Sequence, residues 1–264
     1  RLNTFRAFVD NDNQFGKWLR AEYMDSGLSQ MSHHARPLQV ERVDDATVLV
    51  RATVEACGFK SGRFTHEAEY RITGDGAIAV RNRVTPAGSL PPLPRMGVRM
   101  MLDGALERMA YYGRGPWENY VDRNTGSDIG YYTGTVTEQY VPYVRPQECG
   151  GKSDVRWAAF LDRKGRGIHF TFPQPLFVTA LHYTSEDLEG ARHRKGMERL
   201  FNPPTPRSEV CLALDIAQMG LGGASCGPIP MEKYILRARP FAYTYIMRPC
   251  VKGSHAELSD LARP

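Results

Sequence analysis

The chain carries, at residues 65–84, the stretch THEAEYRITGDGAIAVRNRV, in which polar and less polar residues alternate along two runs. A period of two residues is typical of a β-strand that turns one face toward a core. The Gly74-Asp75-Gly76 segment between the runs is a turn signal, because glycine adopts backbone conformations that other residues avoid. The stretch therefore predicts an antiparallel hairpin with strands at Thr65–Thr73 and Ala77–Val84.

The same alternation recurs on both sides of this hairpin. It predicts further strands at Ala46–Val54, Met96–Leu102, Glu107–Tyr112, Val155–Leu161, Gly167–Phe172, Leu176–Tyr183 and Glu209–Ile216, and around Phe241, Tyr243 and Tyr245. The segment from Asp162 to Arg166 reads as a second hairpin turn. Prolines 86, 91, 92 and 94 predict a stiff crossing loop.

Helical signals are few. Phe15, Trp18, Leu19 and Tyr23 recur at helical spacing and point to a core, and Ser26-Gly27 ends the run. Thr184 with an acidic residue three positions later predicts a short helix that Gly190 and Gly196 interrupt. Many strands with few short helices predict a mainly β fold, a large antiparallel sandwich at residues 1–250. Residues 251–264 are expected to form a loose polar C-terminal tail.

Composition narrows the class of partner. Of 264 residues, 42% are hydrophobic and 24% charged, and the net charge is +5, which is ordinary for a globular domain. The densest basic cluster, Arg192-His193-Arg194-Lys195, has no aromatic platform beside it for nucleic-acid bases. No apolar run approaches the roughly 20 residues that cross a bilayer. We therefore expect neither a nucleic-acid nor a membrane partner.

The five cysteines lack the spacing of metal ligands or of a redox motif. Buried free thiols and no metal site are therefore expected. The chain also lacks an initiator methionine and begins on what reads as a strand, so we expect it to be a piece of a longer protein. Its compartment, cytoplasmic or periplasmic, stays open.

The segment Tyr111–Arg123 is dense in aromatic and charged residues. Its Gly-Arg-Gly-Pro sequence predicts that the strand ends at Tyr112 and that the backbone then leaves its ladder. The resulting loop would carry Arg114, Trp117, Glu118, Asn119, Asp122 and Arg123. Such residues either bind a ligand from a rigid scaffold or pair with one another in a charge-assisted network that holds the loop.

Residues Arg6–Asp12 and Gly113–Arg123 resemble the C-terminal domain of large bacterial β-galactosidases of glycoside hydrolase family 2. That domain, the fifth, is often called the β-galactosidase small chain. Further blocks agree in the same order along nearly the whole chain: Tyr140–Glu148, Asp154–Trp157, His182–Leu188 and Leu214–Gly223.

This resemblance implies a β-supersandwich of the galactose mutarotase type, docked against a catalytic (β/α)8 barrel of the same parent chain. Hydrolysis of terminal β-D-galactosides would be retaining, with two glutamates about 5–5.5 Å apart on the barrel. Any Mg²⁺ or Na⁺ of the parent enzyme would lie on the other domains, and this chain would hold no cofactor, metal or catalytic residue. Glu118 and Glu148 lie in different loops, and we assign neither as acid or nucleophile.

The implied role is to shape the substrate cleft, to bind β-galactoside or galactose, and to pack subunits of a homo-oligomer. The chain alone is expected to be inactive. Two alternatives stay open. One is a stand-alone aldose 1-epimerase-like enzyme, in which His182 and Glu148 would serve as the acid and base. The other is a carbohydrate-binding module without an enzymatic role.

Candidate residues for the cleft each have a structural alternative. Asp10, Asn11 and Asp12 would offer oxygens to sugar hydroxyls, or would cap a helix and tie loops together. Arg156 stands beside Trp157 at the start of an apolar strand, where its charge needs a partner such as Glu148 or a bound sugar.

Two further cleft candidates lie nearer the C-terminus. His182 follows an apolar run and would be a ligand contact or a structural histidine. The resemblance aligns Cys211 with a position at which an aromatic residue lines the galactoside cleft. Trp117 or Trp157 would replace that aromatic ring, or Cys211 is simply a small buried residue on a strand.

Overall fold

The computed structural model describes residues 1–13, 18–60, 62–192 and 204–262. These residues form thirteen strands, all paired antiparallel, and a few short α-helices. The strands are β1 (Leu2–Asn3), β2 (Ser32–Ala35), β3 (Gln39–Asp44), β4 (Thr47–Cys57), β5 (Arg63–Thr73), β6 (Ile78–Ala87), β7 (Arg95–Leu102), β8 (Arg108–Gly115), β9 (Asp128–Thr135), β10 (Lys152–Leu161), β11 (Gly167–Leu181), β12 (Val210–Gln218) and β13 (Phe241–Cys250). The helices are α1 (Asp10–Asn13), α2 (Trp18–Ser26), α3 (Ser185–Arg192) and α4 (His255–Leu261). The predicted mainly β, antiparallel fold is confirmed.

The sheet forks at β11, its longest strand. Along one edge β11 pairs with β10, which leads on to β8 and β9. Along the other edge it pairs with two strands in succession, β13 near its start and β12 near its end. One arm then runs from β12 to β7 and β1, and the other runs from β13 through β6 and β5 to β4. Strands β2 and β3 both pair with the outer edge of β4.

The main core fills the space between these two arms. Tyr243 and Val80 come from the β13 arm, Leu212 and Val98 come from the β12 arm, and all four are at most 5% exposed. Phe170 on the shared strand β11 lies in the same cluster. Alternate residues of a strand face opposite sides of the sheet. Apolar residues at every second position therefore lie on the same face, and that face forms this core.

A second core lies under the N-terminal segment. Phe5, Phe8 and Tyr23 of that segment and α2 contact one another, with ring centroids 5.6 to 6.0 Å apart. They pack with Phe64 and Phe241 of the sheet. The prediction of a helix that ends at Ser26-Gly27 is confirmed, and Gly27 has a left-handed φ of 78°. Residue 15 and the side chain of residue 18 lie outside the described part.

Three boundaries differ from the sequence predictions. Strand β8 continues to Gly115, because residues 113–115 pair with residues 128–130 of β9, so the predicted exit from the ladder at Tyr112 is wrong. Gly113 serves close packing and not a turn, since a Cβ there would lie 2.8 Å from the Cα of Val155. Pro86 lies in β6 opposite Phe64 and not in the crossing loop. The two strands predicted from Gly167 to Tyr183 are the single strand β11.

The C-terminal residues are more ordered than predicted. Ser254 Oγ accepts a hydrogen bond from the Glu257 amide at the start of α4, which is a standard helix cap. Leu258 is fully buried and packs with Trp157 and Cys250. The expectation of a loose tail is therefore wrong for residues 255–261.

The predicted start of α3 is confirmed. Thr184 Oγ1 accepts from the Asp187 amide, and an Asp187 carboxylate oxygen accepts from the Thr184 amide at 2.9 Å. Gly190 lies inside the helix, while Gly196 and residues 193–195 of the basic cluster lie outside the described part. Within the described residues, no helix combines the length and the apolar character needed to cross a membrane.

Candidate functional site

Loops from four parts of the chain surround a cavity of about 280 Å³, which we call the polar hollow. It is lined by Val9, Asp10, Asn11, Glu118, Tyr120, Arg123, Tyr143, Gln147, Glu148, Leu221 and Ser225. Five of the residues singled out from sequence therefore meet here, although two of them, Asp10 and Asn11, precede the other three by more than 100 residues. Asp12, Arg156, His182 and Cys211 do not line it.

A buried ion pair between Arg6 and Asp12 fixes the segment Asp10–Asn13. Asp12 accepts two hydrogen bonds from Arg6, at 2.7 and 3.0 Å, and one from the Val9 amide. Burial alone would lower the pKa of the Arg6 guanidinium, but Asp12 holds that pKa above its usual value. Arg6 also donates to the Met219 carbonyl at 2.9 Å. Asp12 is thus a structural residue and is not available to a ligand.

Asn11 and Asp10 reach the hollow itself. Asn11 Nδ2 donates to the Gly222 carbonyl at 2.7 Å, and Asn11 Oδ1 accepts from Ser225 Oγ at the same distance. The Asp10 amide donates to Gln147, and the Asp10 side chain is 43% exposed. The Asp10 carboxylate accepts from Gln147 Nε2 at 3.4 Å and lies 3.9 Å from an Arg145 guanidinium nitrogen.

A buried arginine, Arg95, organises the inner wall of the hollow. Its Nη1 lies 2.6 Å from Glu148 Oε1, and its Nη2 lies 2.5 Å from Asp215 Oδ2. The second Glu148 oxygen accepts from the Ala7 amide and from Ser185 Oγ. Burial raises the pKa of Asp215, although Arg95 opposes that shift. Glu148 is therefore occupied by protein partners, and the predicted pairing of Glu148 with Arg156 is wrong.

Sequence reasoning missed Arg95 and Asp215. Each is a charge at an otherwise apolar strand, Arg95 before Met96 in β7 and Asp215 between Leu214 and Ile216 in β12. A buried charge needs a partner. Each of these residues therefore indicates that an oppositely charged residue lies nearby. Their strands pair directly, and Gly97 lies opposite Asp215. A Cβ on Gly97 would lie 2.5 Å from the Asp215 Cα, so glycine is required at this crossing.

The charged residues of the 114–123 segment do not pair with one another as predicted. Arg114 donates to Asp154 at 2.5 Å and to the Ser127 carbonyl. Asp122 accepts from the amides of Leu221 and Gly222 at 2.9 and 2.8 Å. The residues thus tie the loop to neighbouring segments instead of forming a network of their own.

Glu118 and Asn119 extend this pattern. Glu118 accepts from the Tyr143 hydroxyl and, at 2.7 Å, from the Gly150 amide. Asn119 Oδ1 accepts from the amide and the hydroxyl of Ser153. Burial and the hydrogen bond to Glu118 raise the pKa of Tyr143. Both side chains therefore fix the loop against the segment 143–153.

The side chains of two residues of the same loop, Arg123 and Trp117, do not connect the loop to a neighbouring segment in this way. The Arg123 side chain lines the hollow, and among the described residues no carboxylate lies within ion-pair distance of it. The Trp117 side chain is 74% exposed.

The remaining candidates lie away from the hollow. Arg156 donates to the Asp154 carbonyl and lies over the Tyr112 ring at 5.9 Å. The ring nitrogens of His182 lie 2.7 Å from Glu107 Oε2 and 2.9 Å from the Glu209 carbonyl. His182 is thus held by protein partners, and Arg156 finds its partners without Glu148.

Cys211 lies behind the inner wall, in a small cavity that Arg95 and Glu148 also line. It is 6% exposed, and burial raises the pKa of its thiol to about 11. Trp157 is buried against Tyr131 and His169, so it offers no ring to a ligand in place of an aromatic residue at position 211. All five cysteines are free; Cys149, Cys211 and Cys250 are buried, and Cys226 is exposed.

The hollow has polar walls, and the protein holds the carboxylates of its two glutamates in place. Both oxygens of Glu118 and both oxygens of Glu148 accept hydrogen bonds from the protein. His182 contacts Glu107 and not Glu148, so an acid–base pair of these two is not assembled. Within the described residues, no three His, Cys, Asp or Glu side chains converge as ligands for a metal. The arrangement is suited to binding polar groups.

Comparison with solved structures returns a GalM/aldose epimerase homologue from C. elegans, with a TM-score of 0.36 and 12% sequence identity. The match covers 81% of this chain and 68% of that one.

The β-galactosidase of Priestia megaterium is 30% identical over 252 residues, which are 94% of this chain and 23% of that protein. The β-galactosidase BgaC of Bifidobacterium adolescentis is 35% identical over 243 residues, which are 90% of this chain and 22% of that protein. The chain thus spans less than a quarter of the length of these relatives. Residues 1–247 match the model of the family described as β-galactosidase small chain, and the chain therefore belongs to that family.

Proposed function

We propose that this chain is a non-catalytic domain of a retaining β-galactosidase and that its polar hollow borders the substrate cleft of that enzyme. The observation that carries the proposal is the state of Glu118 and Glu148. Both line the hollow, and all four of their carboxylate oxygens accept hydrogen bonds from the protein. Retaining hydrolysis needs one carboxylate free to attack the sugar and another free to give a proton.

The hollow has groups that suit a sugar. Arg123 offers an exposed guanidinium, Asp10 contributes a partly buried carboxylate to the lining, and Tyr143 offers part of an aromatic face. Sugar hydroxyls accept and donate hydrogen bonds, and the apolar C–H face of a pyranose packs on an aromatic ring. A β-galactoside that reaches the hollow would be oriented by these groups while another part of the polypeptide performs the chemistry.

The chemistry itself would belong to a catalytic barrel elsewhere in a polypeptide of the relatives' length. That barrel would supply the two reacting glutamates. It would also hold any Mg²⁺ or Na⁺ that the enzyme uses. The role of this domain would be to bind, to orient and to pack against neighbouring subunits.

Replacing Glu118 in the full-length gene product tests the proposal. Loss of a general acid or base costs about 10² to 10⁴ in rate. For a Glu118→Gln variant we expect a change in kcat on an aryl β-galactoside of less than about tenfold, since the residue fixes a loop and performs no proton transfer. Glu232→Gln, at an exposed surface ion pair, is the matched control.

The opposite result would be a fall in kcat of about a thousandfold or more with an unchanged KM and a normal unfolding transition. That result would make Glu118 a catalytic group and overturn the non-catalytic assignment. A full-length product that turns over no β-galactoside would remove the proposal altogether.

A further inference from the structure

One face of β8 and β9 carries a group of exposed apolar side chains. In the antiparallel register, Tyr112 lies opposite Tyr131 and Arg114 lies opposite Ile129. Residues that are opposite one another, or two apart on one strand, share a face of the sheet, so these four side chains form a square. Tyr112, Tyr131 and Ile129 are 38%, 37% and 40% exposed. We call the four residues the β8–β9 patch, and none of them lines the polar hollow.

Neighbouring rings hold Tyr131 in place. The centroid of its ring lies 5.8 Å from that of Trp157 and 4.2 Å from that of His255 at the start of α4. Trp157 in turn lies opposite Tyr112 in the register of β10 and β8. A surface that is ordered before a ligand arrives loses little conformational entropy on binding.

Polar groups of β10 border the patch. Arg114 Nε donates to Asp154 Oδ2 at 2.5 Å, and the guanidinium carbon of Arg156 lies 5.9 Å from the centroid of the Tyr112 ring. Among the described residues, Asp154 Oδ1 accepts no hydrogen bond, and Arg156 donates only through Nη1, to the Asp154 carbonyl. The Asp154 side chain is 41% exposed. The border therefore offers a free acceptor and free N–H donors beside an exposed aromatic ring.

The backbone at Asp154 is strained. Its φ is 54°, and within the described part of the chain all other residues with a positive φ are glycines. The register of β10 shifts on both sides of Val155, which marks a β-bulge. A non-glycine residue in the left-handed region costs energy, and such residues cluster at binding and active sites. Bulges also redirect side chains, and this one sets the Asp154 carboxylate against Arg114 of the patch.

These groups together fit a sugar. The apolar C–H face of a pyranose packs on an aromatic ring, and its hydroxyls both donate and accept hydrogen bonds. A purely apolar partner would cover Asp154 and Arg156 without satisfying them, which is costly. We propose that the β8–β9 patch, with Asp154 and Arg156 at its border, binds a pyranose unit of a saccharide chain by stacking on Tyr112. This inference does not depend on the proposed function, since the hollow and the patch share no residue.

Affinity electrophoresis of the full-length gene product tests this site. The protein migrates through native gels that contain a soluble galactan or a soluble β-glucan, and its mobility is compared with that in a gel without polysaccharide. We expect retardation by at least one of the two. A long polysaccharide has few chain ends, so retardation reports a site for internal units and not a site for terminal galactosides.

Absence of retardation in both gels overturns the proposal. The same result is expected if another part of the polypeptide or a second copy covers the patch. A third gel contains a polysaccharide of galacturonic acid. Retardation in that gel alone would show that Arg114 and Arg156 attract an anion without stacking, and it would also overturn the proposal.

Variants of Tyr112 identify the contact. Tyr112→Ala removes the ring and should weaken binding at least about threefold, whereas Tyr112→Phe keeps the ring and should bind like the parent. Phe59→Ala is the matched control, since Phe59 is an exposed aromatic residue outside the patch, and it should leave retardation unchanged. Equal retardation of Tyr112→Ala and the parent overturns the assignment of the site.

Asp154→Gly is a second test that favours the observed backbone. Glycine adopts a φ of 54° without strain, and thermal unfolding checks that the variant folds. Because the carboxylate is lost, retardation should weaken at least about threefold. A folded variant that binds like the parent would remove Asp154 from the site.

Activity on an aryl β-galactoside is measured for the same variants. Tyr112→Ala should retain the kcat/KM of the parent, because Tyr112 does not line the hollow. Retardation of a protein without galactosidase activity would keep the saccharide site and remove the proposed function. Activity without retardation would do the reverse.

Discussion

Nη1 of Arg95 lies 2.6 Å from Oε1 of Glu148, and this contact joins the sheet to the loops that surround the polar hollow. Arg95 is fixed on β7 by Asp215 of β12. Glu148 in turn accepts from the Ala7 amide, so the position of the N-terminal turn depends on an arginine almost 90 residues away in sequence. The wall of the hollow is thereby connected to the sheet behind it.

Replacing Arg95 by methionine is expected to lower the free energy of unfolding by about 3–5 kcal/mol, because it leaves Glu148 and Asp215 as buried charges without a counter-ion. Urea denaturation of the full-length protein measures the change. Arg83→Met, at an exposed position of β6, should stay within about 0.5 kcal/mol of the parent. A loss below about 1 kcal/mol for Arg95→Met would mean that both carboxylates are protonated or solvated without it.

Lys152 predicts a dependence on pH. Its side chain is 2% exposed and its Nζ donates to the Gly150 carbonyl at 3.2 Å. Burial lowers the pKa of Lys152 to about 8, from 10.5. Below the folded pKa the lysine is charged in both states, and its burial destabilises the fold. Between the two pKa values the unfolded chain binds a proton that the folded chain does not, so stability contributed by this residue rises with pH.

The matched variant for this effect is Lys152→Met. It should be more stable than the parent at about pH 7, and that advantage should shrink by roughly 2 kcal/mol at about pH 10. Denaturant unfolding of both proteins at both pH values measures the difference, in which the other titrating groups cancel. An advantage that is constant with pH would place Lys152 in contact with water.

Gly113 predicts a steric effect. A Cβ at this position would lie 2.8 Å from the Cα of Val155 on the neighbouring strand. Gly113→Ala is therefore expected to cost about 1–3 kcal/mol through strain between β8 and β10. Gly126→Ala is the control, because nothing lies within 4 Å of a Cβ there. Equal stability of the two variants, measured by thermal unfolding, would contradict this assignment.

Leu258 tests whether α4 belongs to the folded domain. It lies on α4 and is fully buried in a cluster with Trp157 and Cys250. Leu258→Ala should cost about 2–5 kcal/mol if the helix is part of the cooperative unit. Val251→Ala, at a residue that is 66% exposed, should have little effect. A loose tail would instead make the two substitutions indistinguishable in calorimetry.

The strands could be predicted because their signal is local. The prediction of Thr65–Thr73 and the observed Arg63–Thr73 differ by two residues at one end, since alternation along a chain depends only on near neighbours. The prediction for Pro86 was wrong because the cost of a proline in a strand depends on its position in the strand. Near the end of β6 a missing amide costs little, so a proline is tolerated there.

The site could be predicted in part. The ordered blocks of the resemblance contain Asp10, Asn11, Glu118 and Glu148, and the hollow gathers these residues, although the sequence did not predict that they would meet. Their partners could not be predicted, because those depend on strand register. Arg95 and Asp215 are 120 residues apart and meet only once β7 and β12 are aligned. The same reason explains why the 114–123 segment reaches outward to Asp154 and Leu221 and does not pair within itself.

Strand β3 has a consequence for how the folded protein behaves in a crowded solution. All six of its residues are exposed, and among the described residues its outer edge has no neighbour. Three of its six residues, Glu41, Arg42 and Asp44, are charged. A foreign strand that extended the sheet there would have to bury these charges. Within the part of the chain that the structure describes, the charges of β3 thus disfavour edge-to-edge pairing, and replacing them by apolar residues would remove that protection.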